Sequence, residues 1–98
     1  MNEKGIVSLV TLELQLPGCK SLKQKRSILQ PLLARLRKEF NVSAAEVARL
    51  DDWDETVICC ALVSNDGRHN QQVLAQIVNF VSDHFTDIEV LADHIESR

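Results

Sequence analysis

The chain has 98 residues, 45% of them hydrophobic and 26% charged. That is the composition of one soluble globular domain spanning 1–98, with no room for a second core and none of the bias of a disordered chain. The net charge of −3 excludes nucleic-acid binding by bulk attraction, so any such role must rest on a local patch.

The charge is divided along the chain. Residues 1–49 carry nine Lys and Arg against four acids, a net of +5, and residues 50–98 carry two against ten, a net of −8. The run from Lys20 to Lys38 holds seven cations and no acid, which makes it the one candidate for an anion-binding surface. The longest apolar stretch, Val57 to Val63, is far shorter than the ~20 residues of a membrane helix, so no membrane association is expected. Met1-Asn2-Glu3-Lys4-Gly5 has no signal-peptide layout, and three cysteines form an odd count. A reducing cytoplasm is the expected compartment.

Ile6 to Leu16 reads as a long strand, with Val10, Leu12, Leu14 and Leu16 on one face, ended by Pro17-Gly18. Ser21 opens a helix, because Ser21 with Gln24 three residues on forms a capping box. Leu22, Ile28, Leu29, Leu32, Leu33, Leu36 and Phe40 follow as one stripe at helical spacing. Pro31 lies opposite that stripe, which predicts a kink rather than a break. Val42 to Arg49 is a weaker, Ala-rich strand, and Asp51 to Glu55 is an acidic loop carrying Trp53. Thr56 to Ser64 is apolar on both faces and therefore central. Asn65-Asp66-Gly67 has turn chemistry, with Asp66 as N-cap of a second helix whose stripe is Val73, Leu74, Ile77, Val78, Val81 and Phe85. Ile88 to Ile95 closes the chain as a fourth strand. The order β-α-β-β-α-β is that of an α+β, ferredoxin-like domain, an α/β sandwich with two helices on one face of a four-stranded antiparallel sheet.

Leu14-Gln15-Leu16-Pro17-Gly18, Ser21-Leu22-Lys23-Gln24-Lys25-Arg26, Phe40-Asn41-Val42-Ser43 with Glu46-Val47, Trp53, and Val63-Ser64-Asn65-Asp66 resemble the YlxP-like family. This is a small bacterial family catalogued as a domain of unknown function. The resemblance spans nearly the whole chain, and the Ser-Leu-Lys-x-Lys-Arg segment is its most specific part. It implies the same ferredoxin-like fold. Genes of that family often neighbour those for ribosome maturation and translation initiation, which implies work near RNA.

Lys23, Lys25 and Arg26 occupy the start of the first helix, where the dipole is positive and acids are preferred. A bound phosphate would relieve that placement. The competing reading is a solvated basic helix start. Lys25 falls in the apolar sector of the helical wheel and is expected to snorkel over the end of the sheet. Lys20, Lys23, Lys25 and Arg26, flanked by Arg37, form the candidate RNA- or anion-binding set. The fold should bring Asp51, Asp52, Asp54 and Glu55 to the same end, where they could neutralise it.

Trp53 is either a cap on the open end of the sheet or an interface anchor. The uncovered sheet face should carry Val7, Leu9, Val57, Cys59, Ala61 and Val63 and no aromatic side chain, which excludes base stacking there. Self-association of this face is the alternative function, a homodimer through Leu9, Cys59, Ala61 and Val63 with Trp53 as a possible anchor. Cys59 and Cys60 are adjacent in a strand and point to opposite faces, so they cannot chelate together. His69, His84 and His94 have no ligand spacing. No metal, no cofactor and no catalytic constellation is expected, so the chain reads as a non-catalytic module.

Overall fold

The computed structural model describes residues 4–98, so residues 1–3 of the expected domain lie outside it. Six elements follow in order: β1 (Ile6–Gln15), α1 (Leu22–Phe40), β2 (Ser43–Ala48), β3 (Glu55–Ser64), α2 (Gly67–His84) and β4 (Glu89–Ser97). The strands form one antiparallel sheet in the order β2-β3-β1-β4, the ferredoxin-like arrangement. β1 and β3 are the central pair, in unbroken register from Ile6 opposite Ser64 to Gln15 opposite Glu55.

The period-2 pattern of β1 places Val10, Leu12 and Leu14 on the helix side, where Ile58 and Cys60 of β3 join them. Leu29, Leu32 and Leu36 of α1 and Leu74, Ile77 and Val81 of α2 close the core from above. β4 runs two residues beyond the expected Ile95, and Ser97 reaches back to Ser8 (Oγ–Oγ 2.8 Å). A register shift in the β2–β3 ladder between Glu46 and Ala48 bends the edge strand just before its turn.

The capping residues act with one change of partner. The Ser21 hydroxyl accepts from the Gln24 N–H at 3.0 Å, but the Gln24 side chain accepts from the Lys20 N–H rather than from Ser21. α1 runs unbroken through Pro31, which faces solvent. It ends where Asn41 enters the left-handed region at φ 51° and donates to the Arg37 carbonyl. Asp66 caps α2 by accepting from the N–H groups of Arg68 and His69.

Two polar features sit inside this frame. Asn70 is fully buried in the first turn of α2, where its amide donates to the Ile6 carbonyl and the Ser8 hydroxyl. Its carbonyl accepts from Ser64 at 2.6 Å, so one side chain ties α2 to both central strands. At the far ends of the helices, Phe80 packs edge-on against Phe40 and stacks on His84, with the Arg35 guanidinium 4.9 Å from its ring centre. All three phenylalanines belong to this cluster, well away from the basic start of α1.

Candidate functional site

The turn between β2 and β3 lies beside the first turns of α1, and Lys25 joins them. Its helical position points inward, and only 3% of its side chain is exposed. The ammonium donates to the main-chain carbonyls of Arg49 and Asp52, each at 2.7 Å, and pairs with the Glu46 carboxylate at 2.8 Å. Three donors meet three acceptors, so the group is satisfied within the fold. The Thr56 hydroxyl donates to the same Glu46 oxygen at 2.6 Å. Lys25 was expected to snorkel and to serve an anion; it is instead a buried clamp on the hairpin, with no donor left for a ligand. A lone buried ammonium would be strongly disfavoured, and the sheet supplies the carboxylate that compensates it.

Arg37, expected to flank the anion site, points to the outer strand. Its guanidinium donates to the Ala44 carbonyl at 2.7 Å, near the opposite end of α1. Lys20, Lys23 and Arg26 remain. All three are exposed, and none of their side chains is in an ion pair among the described residues. The acidic loop comes to this end, but two of its four acids are turned to another cation. Arg49, held at φ 59°, pairs with Asp52 at 3.2 Å and Glu55 at 3.1 Å. Its pKa is raised by the hydrogen bond to Asp52 and by the charge of Glu55. Arg49 was the cation that sequence reasoning missed, since nothing in its surroundings marks a left-handed backbone at an arginine.

Between α1 and the hairpin runs a groove of about 370 Å³. Leu22, Leu29, Leu33 and Leu50 supply its apolar surface, Arg26 and Gln30 line it from the helix, and Asp51 lines it from the hairpin. The clamped Lys25–Glu46 pair forms the inner wall. Trp53 stands 55% exposed beside it, over a shallow concavity shared with Cys19, Asp51, Asp52 and Asp54. No cation lies over the Trp53 ring among the described residues.

The uncovered sheet face carries the residues the alternation assigns to it. Leu9, Val57, Cys59 and Ala61 are half-buried there, and Val7 and Val63 are exposed. Cys60 points the other way into the core, where burial, with the neighbouring Cys59 thiol adding to it, pushes its own thiol up to about 12. His84 is exposed, and its ring stacks on Phe80 with centroids 4.3 Å apart. Among the described residues no group of three or more His, Cys, Asp or Glu could hold a metal ion. No helix there is long and apolar enough to cross a membrane.

A family model described as "Protein of unknown function (DUF503)" matches residues 7–95. The chain belongs to this family. A curated relative, "Uncharacterized protein YlxP" of Bacillus subtilis (strain 168), is 36% identical over 69 residues, covering 70% of this chain and 74% of the relative. Among solved structures, "De novo designed protein Foldit4" matches with a TM-score of 0.55 over 97% of both chains, at 12% identity. That likeness is one of fold alone. Membership of the family carries the fold and leaves the chemistry to be argued from the residues.

Proposed function

We propose that the chain is a single-domain, non-catalytic binding module of the bacterial cytoplasm, acting as an accessory at RNA or the ribosome. Its contact with the phosphate backbone runs through Lys20, Lys23 and Arg26. One observation carries this reading: three cations stay exposed and unpaired at a helix start although a loop with four acids is folded against the same end. The first turn of α1 holds no acid to offset them. Lys23, in that first turn, works against the helix dipole by ~0.3–1 kcal/mol, and a phosphate reverses the sign of that contribution.

The test is filter binding to single-stranded RNA across a salt series. Three phosphate contacts on a single strand give a log–log slope of about −2, which is roughly a 20-fold loss between 50 and 200 mM salt. The Lys23→Glu/Arg26→Glu variant leaves one contact and a slope of about −0.7. Binding unchanged by that double reversal would remove the proposal.

Self-association through Leu9, Cys59, Ala61 and Val63 is the weaker reading. Thr11, Glu13 and His94 line one part of that sheet face, so its apolar surface is interrupted by polar and charged side chains. Sedimentation at micromolar concentration is expected to give a monomer.

A further inference from the structure

The groove beside the unpaired cations presents an unusual set of groups. Arg26 and Asp51 line it from opposite walls, yet they make no ion pair with each other or with any other described residue. Four leucines surround them, and Leu50, at 59% exposure, stands at the rim with a large apolar surface open to water. The inner Lys25 ammonium is fully occupied, whereas Glu46 accepts from both Lys25 and Thr56 at Oε2, which leaves its Oε1 as a second acceptor on the inner wall. A fitting ligand therefore has a flat or compact apolar body, an anion for Arg26 and N–H donors for Asp51, whose carboxylate can only accept. The volume of about 370 Å³ lies at the small end of ligand sites, the size of one nucleoside rather than of a folded segment.

Resting on the RNA-binding reading above, we infer that this groove takes an unpaired guanine base of the bound strand, with its phosphate on Arg26 and Lys23. Guanine is the base that sets two donors side by side, N1–H and N2–H₂, to meet both oxygens of one carboxylate. Its O6 lies next to them and can accept from the Gln30 amide. Adenine, cytosine and uracil each place an acceptor next to their donor, which would turn a lone pair toward the Asp51 carboxylate. Single-stranded RNA is read in this way, by bases splayed from the stack and bonded along their edges. The leucines cover the ring faces here in place of the aromatic platform that the sheet lacks.

Fluorescence anisotropy with labelled RNA of about ten nucleotides, within the range of single-strand sites, tests the assignment. The three probes are all-uridine, the same strand with one central guanosine, and that strand with inosine, which lacks the N2 amino group. The guanosine strand should bind about tenfold tighter than the all-uridine strand, with inosine between them. Asp51→Asn, an exposed loop substitution, should reduce that preference below about twofold while all-uridine binding keeps its salt slope. Equal binding of guanosine and uridine strands, or an undiminished preference in Asp51→Asn, overturns the guanine assignment and leaves the phosphate reading standing. Absence of salt-dependent binding to every strand overturns both. Guanosine monophosphate binding as tightly as the strand would assign the pocket to a free nucleotide and overturn the strand assignment.

Discussion

Replacing Lys25 by Met removes the clamp between α1 and the hairpin at nearly constant volume. The substitution leaves the Glu46 carboxylate without its cation and strips a donor from two main-chain carbonyls. Breaking a buried ion pair from one side costs about 3–5 kcal/mol. Glu46 keeps the Thr56 hydroxyl and is 19% exposed, so water reaches it and the lower half of that range applies, about 3–4 kcal/mol. A domain of this size has ~5–15 kcal/mol in total. The melting temperature should therefore fall by roughly 15–20 °C. Thermal and urea unfolding followed by circular dichroism give the global value, and Trp53, the one tryptophan of the chain, reports on the hairpin. Lys25→Met/Glu46→Gln should recover about 1–2 kcal/mol of the loss, because the uncompensated charge is gone and Thr56 keeps an acceptor. A Lys25→Met protein within ~1 kcal/mol of the parent, or a double variant no more stable than the single one, would refute the assignment of Lys25 as a structural cation.

Two further substitutions probe the core. Asn70→Ala removes three hydrogen bonds that hold α2 to β1 and β3, and should lower stability by about 2–4 kcal/mol with an unchanged urea m-value. The Cys60 thiol, raised from 9.0 to about 12 by burial, stays neutral in the folded chain at pH values where the unfolded chain ionises it. Its contribution is complete below pH 9 and is lost as pH rises from 9 toward 12, by up to ~1.4 kcal/mol per unit. Cys60→Ala should flatten that alkaline loss, and in the native protein Cys59 should be labelled by a thiol reagent before Cys60, which is fully buried.

The fold was legible because its signals are local. Alternation in β1, the 3.6-residue stripes of both helices, the caps at Ser21 and Asp66, and the doubly apolar β3 all depend on neighbours within a few residues. The site was legible only in part. The position of Lys25 inside the apolar sector already marked it as unusual, but its meaning depends on Glu46, which faces inward from β2 and meets it across 21 positions of sequence. In an Ala-rich edge strand an inward glutamate has no distinguishing pattern. Asn70 was missed for the same reason: in the polar first turn of α2 it looks solvated, and its three partners come from β1 and β3. The acids of the 51–55 loop reach the expected end of the sheet. Arg49 takes Asp52 and Glu55 because its own left-handed backbone turns the side chain back over the loop.

The two hairpin carbonyls that Lys25 holds belong to the main chain, and every residue type supplies the same acceptor there. The shape of the loop is thus insulated from the identity of its side chains. Asp51, Trp53 and Asp54 can be exchanged for other residues while the main chain around them stays fastened to the helix. The hairpin is in that sense a set of exchangeable side chains on a fixed mount. Grafting new loop side chains onto it, with Lys25, Glu46 and Thr56 retained, should change the lining of the groove without rebuilding the fold.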